Sequence, residues 1–124
     1  DPDEAGDIAA LLAGELAALE VLGPAALRSE GLAAAGERAA ARLGRFWIHL
    51  DVDGLDEAAM PATDYLMPGG LDWEELAALM GPLGAAPGLA GLSLGCLNPE
   101  KDPDGAYTDR TCDLLAAALA PGRR

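Results

Sequence analysis

Apolar residues recur along this chain with two different periods, and the change of period marks its elements. Over residues 4–19, Ile8, Leu11, Leu12, Leu16 and Leu19 fall three or four apart. That is the spacing of one helical face, and the acidic opening suits a helix N-terminus. Gly23-Pro24 breaks the pattern. A second, Ala-rich helix is expected over residues 31–43, with Gly44 placed to cap it. The texture then changes. Phe46-Trp47-Ile48-His49-Leu50-Asp51-Val52-Asp53 is an apolar run of strand length with aromatic and β-branched members, closed by Gly54. Helical stretches on both sides predict a buried, parallel strand.

A loop is expected over residues 55–71, which hold Pro61, Pro68, Gly69 and Gly70. Asp72-Trp73-Glu74-Glu75 reads as a capped helix start, with Asp72 as N-cap and Glu75 reaching back to it. Trp73, Leu76, Ala77 and Met80 then share a face, and Gly81-Pro82 is expected to end the helix. Leu89 to Leu94 reads as a second short buried strand, followed by turn-rich residues 98–105. A last helix is expected over residues 106–120, with Cys112, Leu115 and Leu119 turned inward. Alternating helix and strand predict an α/β protein with a parallel sheet, in a single domain over residues 1–124. Two strands make a small sheet, so the chain is expected to be part of a larger one. Its start at Asp1, without Met, carries the same expectation of processing or a fragment.

Composition narrows the partners. Of the 124 residues 51% are hydrophobic but only 4% aromatic, which suits close packing of small side chains. The net charge of −13, with scattered basic residues, argues against nucleic acid. No run approaches the roughly 20 apolar residues of a membrane span, and no signal peptide is visible. Cys96 and Cys112 have neither a metal-type spacing nor the number for a disulfide framework. Reduced thiols and a cytoplasmic location are therefore expected.

The candidate chemistry lies in His49-Leu50-Asp51-Val52-Asp53-Gly54-Leu55-Asp56. In a strand, residues two apart face the same way, so Asp51 and Asp53 would present two carboxylates side by side. At the carboxyl end of a strand they would face the crevice where open α/β sheets bind ligands. Two hard oxygen donors suit Mg²⁺ or Mn²⁺, and a cation relieves their mutual repulsion. An acidic strand end feeding an exposed turn remains the alternative. A calcium EF-hand loop fails, because Leu55 occupies its fifth position and the Gly comes at the fourth. A haloacid-dehalogenase-type phosphatase motif fits in four of five places, but Leu55 replaces its Thr, and Lys101, the only Lys, lies in a loop.

More of the chain resembles the arginase, agmatinase and formimidoylglutamase (ureohydrolase) family. That family's S-x-D-x-D-x-x-D-P signature is approached by residues 49–57, with His49 for the Ser and Glu57 for the last Pro. Met60-Pro61-Ala62-Thr63 and Gly69-Gly70-Leu71 follow at the family's spacing, and Leu92 to Pro99 is similar to its next strand and E-x-N-P ending. The resemblance covers residues 46–119, and the first 45 are compatible with it. It implies part of a three-layer α/β/α fold, with Asp51 and Asp53 as ligands of a binuclear Mn²⁺ centre. It also implies hydrolysis of a linear amidine or guanidino C–N bond in a small guanidino or formimino substrate. Family members are often trimers or hexamers, so a homo-oligomer is implied too.

The departures set limits. The family's other metal ligands lie in G-G-D-H and D-A-H-x-D segments that this chain does not contain. Alone, it is expected to bind metal weakly and to be inactive. Cys96 takes the place of the Glu that pairs with the guanidinium, and His49 is expected beside the pocket rather than on the metal. A non-catalytic member of the family is therefore the second expectation.

Overall fold

The computed structural model describes residues 20–120, and the helix expected over residues 4–19 lies outside them. The chain after Gly23 does not pause as expected. Pro24 occupies the first turn of a short helix α1 (Pro24–Glu30), where its missing N–H has no partner to lose. Helix α2 (Leu32–Leu43) ends at Gly44 with φ of 62°, the expected cap. Strand β1 (Phe46–Asp51) and strand β2 (Leu89–Gly95) pair in parallel, with His49 opposite Ser93 and Asp51 opposite Gly95. Helix α3 (Trp73–Ala85) crosses between them, and helix α4 (Ala106–Leu119) closes the described chain. The parallel α/β class expected from the sequence holds.

Helix α3 opens with the expected reciprocal cap: Glu75 N–H donates to Asp72 Oδ1 at 2.8 Å, and Asp72 N–H donates to Glu75 Oε2 at 3.0 Å. It does not stop at Gly81-Pro82. Pro82 sits inside the helix, which gives up one backbone hydrogen bond there. Trp73, Leu76 and Met80 are buried as expected, but Ala77 is exposed. In α4 the buried residues are Thr111 and Ala118, with Leu114 and Leu115 against the core, and Cys112 is exposed. The Cys112 expectation is off by one position, about 100° around the helix.

Burial along β1 alternates. Phe46, Ile48 and Leu50 are half-buried, and Ile48 and Leu50 pack on the core with Leu92. Trp47, His49 and Asp51 point to the other, exposed face. Among the described residues the helices cover one face of the sheet, two of the three expected layers. No described helix is long and apolar enough to cross a membrane.

The core reaches into the loop after β1. Val52, Met60 and Ala62 are 0% exposed and join Leu55, Leu71, Trp73, Leu76, Met80 and Ala118. Leu55 and Leu71 form a parallel bridge: Leu71 N–H donates to Gly54 O at 3.1 Å, and Asp56 N–H donates to Leu71 O at 2.8 Å. Position 70 must be Gly, since a Cβ there would strike the Leu55 and Gly54 backbone. Asp56 braces the same loop, accepting from Ala58 N–H at 3.0 Å and Gly69 N–H at 2.8 Å. Those backbone donors hold its carboxyl below the usual carboxylate range. The Asp56 and Gly69-Gly70-Leu71 motifs thus build the loop that follows the acidic pair.

Candidate metal centre

The strand expected over residues 46–53 stops at Asp51. Residues Val52–Gly54 form one 3₁₀ turn, in which Leu55 N–H donates to Val52 O at 3.1 Å. Burial of Leu55 and its bridge to Leu71 favour the turn, because alternation in a straight strand would put Leu55 on the exposed face with Asp51, whereas Val52 lies on the core side either way. Asp53 therefore does not share a strand face with Asp51 by alternation. The turn nonetheless brings it back. One ligand atom from each of Asp51, Asp53 and Cys96 lies within 4.8 Å of the others.

Each of the three is placed by a different feature. Asp51 ends β1, half-buried Asp53 rides on the turn, and Cys96 follows the last residue of β2. Gly95, opposite Asp51, leaves the room: a Cβ there would fall on Asp51 Oδ1. Cys96 has φ of 66°, in the left-handed region that non-glycine residues rarely enter. That backbone aims its thiol at the carboxylates. A hydrogen bond to Asp51, desolvation and the neighbouring Asp53 push the thiol up to about 11 from 9.0. A thiol so shifted is no nucleophile near neutral pH.

The blocks downstream hold this edge together. Asn98 N–H donates to Ala62 O at 2.9 Å, and Lys101 Nζ donates to Thr63 O at 2.7 Å. Asn98 Nδ2 also donates to Asp64 Oδ1 at 2.7 Å, and this bond first, then Lys101, lowers the Asp64 carboxyl. The Pro61-Ala62-Thr63 and Asn98-Pro99 motifs are thereby tied to one another beside the cluster.

His49 lies next to the acidic pair, with Nε2 3.1 Å from Asp51 Oδ1 and Nδ1 2.7 Å from Ser93 Oγ. Ser93 was not singled out in the sequence. Its signal was the alternation Gly91-Ser93-Gly95, small residues facing Trp47, His49 and Asp51. The donor set fits a divalent cation, with two carboxylates brought within reach of one another and Gly95 leaving the space that Asp51 Oδ1 takes.

A short parallel sheet, helices across one face and acidic side chains at the strands' carboxyl ends define an open α/β protein. Residues 11–120 match the model of the Arginase family, and the chain belongs to that family. The match starts well before residue 46, so it takes in residues 11–45, which the motifs left merely compatible. Between two readings of Asp51-Val52-Asp53-Gly54, it favours the ureohydrolase over the phosphatase.

Solved structures agree in fold. Proclavaminate amidino hydrolase from Streptomyces clavuligerus has a TM-score of 0.74 at 20% identity, covering 91% of this chain and 39% of that one. Formimidoylglutamase from Bacillus subtilis has a TM-score of 0.73 at 21% identity, covering 83% of this chain and 33% of that one. Trypanosoma cruzi formiminoglutamase with Mn²⁺ has a TM-score of 0.67 at 23% identity, covering 79% and 34%. The chain thus spans between 33% and 39% of the length of these proteins. A comparison with curated protein sequences finds no match.

Proposed function

We propose that this chain is the portion of a metal-dependent hydrolase of linear amidine or guanidino C–N bonds that carries Asp51 and Asp53 as two ligands of a binuclear Mn²⁺ centre. The observation that carries the reading is the convergence of Asp51, Asp53 and Cys96 on one point in an arginase-family chain. When bound, a pair of divalent ions lowers the pKa of water and stabilises charge developing at the attacked carbon. The chain's own part is to hold the ligands. Asp51 is fixed at the strand end over Gly95, and Asp53 is fixed by a turn whose flanking Val52 and Leu55 are buried. Two carboxylates alone bind such ions weakly, so the remaining ligands come from residues beyond this chain. The substrate is a small guanidino or formimino compound, and the working location is the cytoplasm, where both free thiols stay reduced.

Cys96 favours a second reading, a ureohydrolase-like protein without catalysis. A neutral thiol raised to about 11 supplies no negative charge to pair with a guanidinium. One experiment separates the two. The complete protein is loaded with Mn²⁺, its bound metal is counted, and guanidino and formimino compounds are screened for release of urea or formamide. Two ions per active site and turnover lost in Asp51→Asn are the expected results. Full metal without turnover of any compound would leave the non-catalytic reading, and substoichiometric metal would sink the binuclear centre.

A further inference from the structure

Parallel pairing sets three positions of β1 against three of β2: Trp47 against Gly91, His49 against Ser93, and Asp51 against Gly95. Alternation puts Trp47, His49 and Asp51 on the exposed face, and each large side chain meets a small partner. The Trp47 ring lies where a Cβ at position 91 would be. From there Trp47 Nε1 reaches Ser93 Oγ at 3.1 Å, Ser93 Oγ reaches His49 Nδ1 at 2.7 Å, and His49 Nε2 reaches Asp51 Oδ1 at 3.1 Å.

We infer that Trp47 and Ser93 fix the His49 imidazole through a one-way hydrogen-bond chain, and that His49, held against Asp51 Oδ1 by a close polar contact, is a positioning residue for the metal site proposed above. The inference rests on that reading only for its consequence, since the direction of the chain follows from donor chemistry. Indole Nε1–H only donates, so Ser93 Oγ must accept from Trp47. The Nε2 edge faces the Asp51 carboxylate at 3.1 Å without the alignment of a hydrogen bond, and a hydrogen on Nε2 is the form that this acceptor-only group attracts. The neutral imidazole then has its lone pair at Nδ1, and the Ser93 hydroxyl donates there. In this arrangement every hydrogen has an acceptor. A hydrogen on Nδ1 instead would leave Ser93 Oγ facing two donors and its own hydrogen without a partner in the chain. Asp51 Oδ1 is held from two sides, by His49 and by the close approach of Gly95. Partners of this kind fix a ligand's rotation and are worth about 10–100-fold in metal affinity.

The test uses the complete protein with ¹⁵N-labelled histidine, the His49 signals being identified by their loss in His49→Phe. Without metal at pH 8, the His49 imidazole nitrogens should report the Nε2–H tautomer, and Ser93→Ala should mix the two tautomers. An Nδ1–H tautomer, or nitrogen shifts unmoved by Ser93→Ala, would overturn the chain. Mn²⁺ is then titrated and followed by paramagnetic broadening near Asp51. His49→Phe should weaken binding about tenfold. His49→Gln, whose amide can both accept from Ser93 and donate to Asp51, should restore it to within a few-fold. Equal Mn²⁺ affinity in wild type and His49→Phe would overturn the positioning role. Absence of broadening in the wild type would overturn the metal reading and with it the positioning role, while the tautomer would still decide the chain.

Discussion

Gly95 lies directly across the sheet from Asp51, and Asp51 Oδ1 occupies the space that a Cβ at position 95 would take. The backbone at 95 is ordinary strand and not left-handed, so nothing in its φ forbids a side chain. What forbids one is the carboxylate. Gly95→Ala should therefore keep the fold while turning Asp51 away from Asp53 and Cys96. The expected loss of Mn²⁺ affinity is about tenfold, read by metal titration, with an unchanged far-ultraviolet circular dichroism spectrum. Unaltered affinity would show that Asp51 does not need this orientation.

Cys96 is the one described non-glycine residue with positive φ. The left-handed backbone disfavours any side chain with a Cβ by about 1–2 kcal/mol. At an ordinary strand end, Ala would be the more stabilising replacement and Gly the less. Here the order should reverse, with the Tm of Cys96→Gly about 4 °C above that of Cys96→Ala. Equal or opposite ranking in thermal unfolding would mean that the chain relaxes out of the left-handed conformation when the thiol is removed.

Features set by neighbours in sequence were legible before the fold was known. The Asp72–Glu75 cap, the Gly44 helix end, the start of the first strand and the second strand depend on a few adjacent residues, and they stand where expected. Features set across the fold were not. The strand was expected to run through Asp53, but burial of Leu55 and its bridge to Leu71 turn it at Asp51. The inward face of α4 was placed on Cys112, whereas Thr111 and Ala118 meet the core. In the site, Asp51 and Asp53 were found from their spacing, and Cys96 from its place after the second strand. Ser93 was not, because its partners depend on a register between strands more than 40 residues apart.

Acid should expose the anchor of helix α3. Arg28 Nε and Nη2 donate to Glu75 Oε1 and Oε2 at 2.6 and 2.8 Å, and Asp72 N–H adds a third donor. Arg28 first, and then that backbone donor, hold Glu75 down to about 2 from its ordinary 4.5. The folded value is the depressed one. Its stabilisation is therefore present above about 4.5 and is lost as pH falls towards 2. The urea midpoint should decline across that window. Glu75→Gln, which cannot titrate, should make the decline shallower. Asp102, lowered first by its bond from Thr108 and then by backbone donors of α4, should account for part of the slope that remains. An identical slope in Glu75→Gln would remove Glu75 as a source of acid sensitivity.

Trp73 joins three parts of the molecule. Its ring is buried at the start of α3, its Nε1–H donates to Ala59 O at 2.9 Å, and Arg110 of α4 lies 4.7 Å above its centroid. Ala59 belongs to the loop that leaves the Asp53 turn, so the indole ties the helix layer to the metal edge. Two substitutions divide its contributions. Trp73→Phe keeps most of the buried area and a face for Arg110 but leaves Ala59 O without its donor, a loss of about 1–3 kcal/mol. Trp73→Ala also opens a cavity and should destabilise by about 3–5 kcal/mol. The difference between the variants, measured by urea unfolding, reports packing, and the Phe variant alone reports the tie to the loop. If the tie positions the loop, Trp73→Phe should also weaken Mn²⁺ binding, which a purely packing role would leave unchanged.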